Sequence, residues 1–217
     1  SGETNIENCE KNKRQLAKQE NSFKKFISLA HKRKIKLIQI STDHMYDNPN
    51  FYKSSNEKTK PIINNYYTKY KITLENIALK KNALILRTNF FSPSMKNHFI
   101  DNILKKARKF KLINLAKDQY FSPLNIYTLV KILKTIINKK KIFNGVYNLG
   151  SKAGMSKANF ILKILERKKI INIKYNLLKI NDLCSVKRSK NMKMTVTKFE
   201  NKFEIELPYL SQELKKK

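Results

Sequence analysis

A tyrosine and a lysine lie four residues apart, at Tyr67 and Lys71, in a stretch whose apolar spacing predicts a helix over 67–81. Four residues make about one helical turn, so both side chains project from the same face. A neighbouring cation favours the phenolate and lowers the pKa of a phenol. The pair therefore predicts a general acid that gives a proton to a carbonyl oxygen. The alternative is a surface helix on which the lysine stem covers the ring.

Two hydroxyl side chains, Ser41 and Thr42, follow a short β-rich run predicted as a strand over 35–40, and Asp43 and His44 come next. Ligands of parallel α/β sheets lie outside the carboxyl ends of the strands. Hydroxyl groups at such an end can hydrogen-bond a bound carbonyl. The alternative is a turn or a helix cap, which Ser, Thr and Asp commonly form.

The elements that must position these groups alternate along the chain between helical and strand-like patterns. Strands separated by helices of this length predict βαβ units and a mainly parallel, doubly wound α/β sheet. After about residue 90 the pattern loosens into a smaller lobe. The other expected helices cover 21–34, 97–110, 126–138 and 156–167, and the other expected strands cover 83–86, 112–115 and 146–149.

The charge of the chain is strongly positive, since 47 Lys and Arg stand against 16 Asp and Glu in 217 residues. Lysine outnumbers arginine by 41 to 6 and is spread along the whole chain. This favours solvated lysine faces, with steering of an anionic substrate, over specific nucleic-acid recognition, which relies on arginine. A basic nucleic-acid-binding protein is the alternative.

Several protein classes are excluded by composition. A hydrophobic fraction of 41% is too high for a disordered chain, and no apolar run is long enough for a membrane span. Two cysteines, Cys9 and Cys184, do not make a disulfide scaffold or a zinc site, and no metal-ligand spacing occurs. We expect a cytoplasmic protein without a metal or a membrane partner.

The order of several motifs resembles that of extended short-chain dehydrogenase/reductases acting on nucleotide sugars, most closely the dTDP-4-dehydrorhamnose reductase family. In that family a Ser-Thr-Asp sequence precedes the Tyr-x-x-x-Lys helix, and here Thr42 and Tyr67 lie 25 residues apart. The family's lysine is followed after four residues by a glutamate, which Glu75 matches. Further similar segments lie in order at 87–88, 118–123, 145–150, 187–191 and 207–210.

The resemblance implies an incomplete Rossmann-like doubly wound sheet with a smaller C-terminal substrate-binding lobe. Residues 1–90 would be a partial NAD(P)-binding region with the Tyr-x-x-x-Lys helix. Residues 91–217 would mainly bind the sugar nucleotide, with some strands and helices returning to the Rossmann core. The implied reaction passes a hydride from NADPH or NADH to the C4 keto group of a dTDP-linked 6-deoxy sugar. A homodimer is a further implication.

The resemblance also implies roles for individual residues. Tyr67 would donate the proton, and Lys71 would hold the nicotinamide ribose and acidify Tyr67. Thr42, with Ser41, would orient the carbonyl, and Ser41 would also lie against the cofactor. The implied substrate contacts are His44, Arg87, Gln119 and Arg188. Each of the last three has a structural alternative. Arg87 could form a salt bridge at a strand end, Gln119 could be a loop amide, and Arg188 could be a solvated cation.

The sequence departs from the family in its glycines, which are Gly2, Gly145, Gly150 and Gly154. None of them forms the glycine-rich turn that cradles a cofactor pyrophosphate. The resemblance therefore indicates that the leading cofactor-binding segment is missing, as in a fragment of a longer gene product or a decayed homologue. Other nucleotide-sugar epimerases or dehydratases, and a non-catalytic sugar-nucleotide-binding homologue, are the remaining alternatives.

Overall fold

A computed structural model describes residues 3–92, 99–139, 141 and 143–216. Its helices are α1 (Ile6–Lys11), α2 (Lys13–Lys32), α3 (Tyr66–Leu79), α4 (Phe99–Phe110), α5 (Ile126–Asn138), α6 (Lys157–Arg167), α7 (Ile180–Leu183), α8 (Thr197–Phe203) and α9 (Leu210–Glu213). Its strands are β1 (Ile38–Thr42), β2 (Leu84–Thr88), β3 (Phe90–Phe91), β4 (Leu112–Ala116), β5 (Tyr120–Phe121), β6 (Leu124–Asn125), β7 (Gly145–Leu149), β8 (Met155–Ser156) and β9 (Lys174–Leu178).

The main sheet is parallel and has the order β1-β2-β7 in the described chain. Its register aligns the strand ends, so that Thr42 lies beside Thr88, and Thr88 lies beside Leu149. Because side chains alternate between the two faces of a strand, consecutive residues of β2 enter different cores. The three carboxyl ends therefore form one edge, where polar side chains can converge.

Helices cover both faces of this sheet. Leu84 and Leu86 of β2 pack in one apolar cluster with buried side chains of α5 and α8. Ile85 packs on the opposite face with Ile27 of α2 and Ala78 of α3. The sheet is therefore doubly wound, and the α/β, Rossmann-like class predicted from the sequence is confirmed.

A third apolar cluster lies outside this sheet, where β4 pairs in parallel with β9. Its buried side chains come from α4, β4 and α6, with Phe91, Phe121 and Phe160 meeting edge to face. β7, α5 and α8 follow residue 90 in the chain; β7 is a strand of the main sheet, and α5 and α8 pack on it. The domain boundary at residue 90 stays a prediction.

The predicted ends of several helices and strands are wrong. The first strand covers Ile38–Thr42 rather than 35–40, so the hydroxyl residues lie inside it and not in a turn. α2 begins at Lys13 rather than at residue 21, because Leu16 extends the buried face of Ile27 and Ala30 by further turns. α1 and β9 are absent from the sequence-based expectation. Residues 97–98 of the expected helix 97–110 lie outside the described residues.

None of the described helices combines the length and apolar character that a bilayer crossing requires. In the same part of the chain, no cluster of three or more His, Cys, Asp or Glu side chains could hold a metal ion. Both cysteines are free, Cys9 buried and Cys184 half-buried.

We expect Phe203→Ala to destabilise the protein by about 3 to 5 kcal/mol. The Phe203 side chain is fully buried between the rings of Phe199, Phe143 and Tyr147, so its removal leaves a cavity in the core beside the sheet. Urea unfolding followed by circular dichroism measures the change. The control is Phe26→Ala on α2, where the ring is 56% exposed and the expected cost is below about 0.5 kcal/mol. Equal losses in the two variants would contradict this account of the core.

Candidate active site

The site begins at the carboxyl end of β1, where Ser41 and Thr42 are buried beside Arg87 and Thr88 of β2. Asp43 follows, fully buried, and both of its carboxylate oxygens accept hydrogen bonds from the Asn89 side chain, at 3.2 and 3.0 Å. Burial raises the pKa of Asp43 to about 7, although Asn89 and the charge of Lys157 oppose this effect. The carboxyl group thus lies near its titration midpoint at neutral pH.

Helix α3 presents the tyrosine and the lysine to this strand end. Asn65 caps the helix, since its side-chain oxygen accepts a hydrogen bond from the Thr68 amide at 2.9 Å. Tyr67 is 8% exposed, and the Thr42 side chain lies close enough to its phenol to lower the pKa of that group. The Lys71 Nζ atom lies 5.6 Å from the centre of the Tyr67 ring. The structure therefore brings Thr42, Tyr67 and Lys71 together, as the sequence predicts.

The predicted acidification of the phenol is wrong for this structure. Burial raises the pKa of Tyr67 to about 12, and the neighbouring Thr42 side chain opposes the rise only in part. The nearby charge of Asp43 raises it further. Burial also lowers the pKa of Lys71. Desolvation therefore dominates the pKa of this phenol, and Tyr67 is protonated at neutral pH.

The nicotinamide end of a dinucleotide fits the residues around Ser41. The buried Ser41 hydroxyl has no hydrogen-bond partner among the described residues, and it lies next in sequence to Thr42 at the strand end. Such a group is costly unless a ligand or water satisfies it. The Ser41 hydroxyl is thus a polar group that a ribose or a nicotinamide amide could satisfy.

The described glycines do not build a pyrophosphate cradle. A Cβ atom at Gly150 would lie 2.7 Å from the Ser122 carbonyl oxygen, and one at Gly154 would lie 2.4 Å from that of Phe121. These two glycines therefore permit close backbone packing between segments of the fold. None of the glycines in the described residues forms a cradle for the phosphates of the cofactor.

A cavity of about 290 Å³ opens beside the strand end. Apolar side chains of α4, β4, α6 and α7 form much of its wall. The polar and sulfur-containing side chains that line it are His44, Asn114, Gln119, Lys157, Cys184 and Arg188. Three of the four predicted substrate contacts thus line one cavity, and the His44 ring meets the Tyr67 ring edge to face at 5.7 Å between centres.

His44 is a neutral group in this wall. Burial lowers its pKa to about 3, and the charges of Lys157 and Arg188 lower it further. Its Nδ1 atom is buried and has no hydrogen-bond partner in the described chain. His44 therefore offers a neutral imidazole to the cavity.

Gln119 and Arg188 are held in place by other segments. The Gln119 amide donates to the Ser189 carbonyl oxygen at 2.8 Å, within a buried environment. Arg188 pairs through Nη2 with the Glu7 carboxylate of α1, and its Nε atom is buried without a partner among the described residues. The N-terminal helix thus orients a cation at the cavity.

Arg87 does not line this cavity, and its predicted contact with the substrate is corrected. The guanidinium is 6% exposed and pairs with Glu75 of α3, with Nη2 at 2.7 Å from a carboxylate oxygen. Its Nε atom also donates to both carboxylate oxygens at 3.1 Å, and Nη1 donates to the Tyr46 hydroxyl at 2.7 Å. These bonds satisfy the guanidinium within the core, which is the salt bridge that the sequence left as the alternative.

Lys157 also lines the cavity, although the sequence pattern did not predict it as a site residue. It is the first residue of α6, directly after the Ser156 cap, and its backbone amide donates to the Gln119 carbonyl oxygen at 2.7 Å. The sequence has 41 lysines, and the local spacing of Lys157 does not mark it as a cavity residue. Its place at the cavity depends on the tertiary contact with Gln119.

The geometry defines a class of protein, an α/β, Rossmann-like fold with Thr42, Tyr67 and Lys71 grouped at the carboxyl edge of its sheet. The family model described as "RmlD substrate binding domain" matches residues 2–217, and the chain belongs to this family. The resemblance inferred from the sequence motifs is confirmed.

Individual relatives are similar to this chain over most of its length. A dTDP-4-dehydrorhamnose reductase of Aggregatibacter actinomycetemcomitans is 24% identical over 184 residues, which are 78% of this chain and 62% of the relative. The chain thus spans less than two thirds of the length of that curated relative.

Two solved structures share the fold. A dTDP-4-dehydrorhamnose reductase ortholog from Clostridium acetobutylicum has a TM-score of 0.85 at 19% identity, covering 99% of this chain and 76% of the other. The dTDP-4-dehydrorhamnose reductase of Bacillus anthracis, in complex with NADP, has a TM-score of 0.79 at 17% identity, covering 88% of this chain and 68% of the other.

We expect Glu75→Gln to destabilise the protein by about 3 to 5 kcal/mol, because it leaves the buried Arg87 cation without its counter-charge. Urea unfolding gives the loss. The control is Asp101→Asn, which breaks the partly exposed pair with Lys105 and is expected to cost less than about 1 kcal/mol. Similar losses of unfolding free energy in both variants would show that the buried Glu75–Arg87 pair does not stabilise the fold more than an exposed pair does.

Proposed function

We propose that this chain acts as a reductase on a nucleotide sugar, using NADPH or NADH to reduce the C4 keto group of a dTDP-linked 6-deoxy sugar. The observation that carries the proposal is the placement of Thr42 and of the Lys71 ammonium beside the buried Tyr67 side chain at the end of β1. Membership of the family and the NADP held by the Bacillus anthracis reductase support it.

The proton would come from Tyr67. Its raised pKa keeps the phenol protonated, so it can donate a hydrogen bond to a substrate carbonyl oxygen. The Thr42 hydroxyl lies against the phenol and would orient the same oxygen. As negative charge develops on that oxygen, the phenol proton moves to it, and the nearby Lys71 cation stabilises the phenolate left behind.

A bound nicotinamide cofactor would supply the hydride for this reduction. Ser41, Tyr67 and Lys71 are the residues that would hold its nicotinamide and ribose. The Ser41 hydroxyl near the end of β1 lacks a partner within the described chain, and the Lys71 ammonium lies over the Tyr67 ring.

The cavity beside the strand end would receive the sugar nucleotide. His44, whose ring contacts Tyr67, connects the cavity to the proton donor. Gln119 and Arg188 line the same space, so we keep these three residues as proposed substrate contacts. The cytoplasmic location and the homodimer that the resemblance implies remain predictions.

A non-catalytic sugar-nucleotide-binding homologue is the second candidate. It is favoured by the two glycines that pack against Ser122 and Phe121 instead of forming a phosphate cradle. Calorimetric titration separates the candidates, because this homologue would bind the sugar nucleotide but not NADPH. Product analysis distinguishes an epimerase from the proposed reductase, because an epimerase consumes no net reduced cofactor.

We expect Tyr67→Phe to lower the reductase rate by about 10²- to 10⁴-fold, since it removes the proton donor and leaves the ring in place. The rate is the loss of NADPH absorbance with the dTDP-linked keto sugar. The control is Tyr70→Phe on the same helix, which loses only a hydrogen bond to Gln19 at 3.1 Å and should keep the rate within a few-fold.

A Tyr67→Phe variant that folds and retains the full rate would exclude Tyr67 as the donor. Absence of NADPH oxidation by the unaltered chain, together with tight binding of the keto sugar nucleotide, would reject the reductase in favour of the non-catalytic homologue.

A further inference from the structure

One buried serine joins the residues that we propose as substrate contacts. Ser189 is 1% exposed and directly follows Arg188 in the chain. Its hydroxyl donates to the His44 carbonyl oxygen at 2.6 Å, and its carbonyl oxygen accepts from the Gln119 side-chain amide at 2.8 Å. Ser189 itself is not among the described residues that line the cavity. It therefore links three cavity residues from outside the lining.

The Ser189 hydroxyl both donates and accepts. It accepts a hydrogen bond from the Asn64 side-chain amide at 3.1 Å, and the same amide donates to an Asp47 carboxylate oxygen at 3.1 Å. A serine hydroxyl has one proton to donate, and here the His44 carbonyl oxygen receives it. The hydrogen bonds thus run in one direction, from Asn64 through Ser189 to His44, and the members of such a chain strengthen one another.

Asp47 fixes the backbone that follows Ser189. One of its carboxylate oxygens accepts from the Lys190 amide at 2.8 Å and from the Asn191 amide at 3.1 Å. Hydrogen bonds from backbone N–H groups to a carboxylate are charge-assisted and stronger than bonds between neutral groups. The loop after β1 therefore holds both the side chain of Ser189, through Asn64, and the residues that come after it.

The start of α3 is tied to the same segment, residues 187–191. Asn65, the N-cap of this helix, donates from its side chain to the Lys187 carbonyl oxygen at 2.8 Å. His44, whose backbone the segment also binds, meets the Tyr67 ring edge to face. The segment is therefore fixed relative to the helix that carries the proposed proton donor.

We propose that Ser189 is a positioning residue: its hydroxyl sets the place of the cavity wall relative to Tyr67, so that a bound sugar nucleotide presents its keto group to the proton donor. The proposal rests on the proposed function for the identity of the substrate. Ser189 acts through His44 and through Arg188, its neighbour in the chain. Its loss leaves the groups at the end of β1 in place, so we expect a weaker affinity for the substrate and a nearly unchanged rate of the chemical step.

The first test compares the kinetics of Ser189→Ala with those of the unaltered full chain. With NADPH and the dTDP-linked keto sugar, we expect the KM for the sugar to rise about tenfold, kcat to stay within about threefold and the KM for NADPH to stay unchanged. A merely structural serine would lower the stability of the fold and leave the KM for the sugar unaltered. An unchanged KM for the sugar in Ser189→Ala would overturn the proposal.

The matched control is Ser55→Ala. Ser55 is also 1% exposed, but its hydroxyl has no hydrogen-bond partner among the described residues. Its removal should leave both kinetic constants unchanged. An equal rise of the KM for the sugar in the two variants would show that loss of any buried hydroxyl has this effect, and would reject a particular role for Ser189.

Calorimetric titration with dTDP-glucose measures the affinity without turnover, because this sugar has no keto group to reduce. Ser189→Ala should bind it about tenfold more weakly than the unaltered chain. Asp47→Asn should weaken binding in the same direction, since in either orientation its new NH2 group meets a donor, the Asn64 amide or the two backbone N–H groups. Equal affinities in all three proteins, or no binding by the unaltered chain, would contradict the proposal.

Cysteine alkylation reports on the cavity wall without any ligand. Cys184 lines the cavity and precedes the segment 187–191, whereas Cys9 is buried in a separate apolar cluster. Ser189→Ala should speed alkylation of Cys184 by about threefold or more, read by peptide mass mapping, and leave that of Cys9 unchanged. Faster alkylation of both cysteines would show a general loss of stability and reject a local positioning role.

The outcomes also separate this proposal from the reductase proposal. Binding of dTDP-glucose that depends on Ser189, without NADPH oxidation by the unaltered chain, retains the positioning role in sugar-nucleotide binding and rejects the reductase. Full reductase activity with a KM that does not depend on Ser189 rejects only the positioning role.

Discussion

The buried ion pair between Glu75 and Arg87 is the interaction on which the geometry of the site depends. Glu75 belongs to α3, two turns after Tyr67, and Arg87 belongs to β2. Arg87 also donates to the Tyr46 hydroxyl, which in turn donates to the Asn148 side chain of β7 at 2.8 Å. One network therefore ties the helix that carries Tyr67 to two strands and to the segment after β1.

This network explains why an arginine at a strand end serves structure and not ligand binding. A charged group in the core is tolerated only when its partners satisfy it fully, and the guanidinium of Arg87 has such partners in Glu75 and Tyr46. Arg188 differs, because one of its nitrogen atoms is buried without a partner at a cavity wall. The contrast between satisfied and unsatisfied donors separates the structural arginine from the proposed ligand-binding one.

Desolvation governs the proton chemistry of the site. It raises the pKa values of Asp43 and Tyr67 and lowers those of His44 and Lys157, so that every one of these groups is pushed toward its neutral form. The overall charge of the chain is +31, yet the site itself favours neutral groups.

Local pattern determined much of the fold and part of the site. The helix 126–138 and the strand starting near residue 84 follow from the periodicity of apolar residues, because burial of one face or of both faces leaves a direct trace in sequence. The pairing of Tyr67 with Lys71 also follows from sequence, since residues four apart on a helix must lie on one face. The prediction that Thr42 lies beside Tyr67 and Lys71 rested on the order of motifs in the family.

Only the tertiary structure decided which charged residues face the cavity and which pKa values rise or fall. Arg87 and Arg188 look alike in sequence, but one is enclosed by Glu75 and Tyr46 while the other reaches the cavity. Lys157 is placed by a hydrogen bond to Gln119, 38 residues earlier in the chain. Sequence determines near-neighbour geometry, whereas desolvation depends on what distant segments bring to the same space, and no local pattern records that.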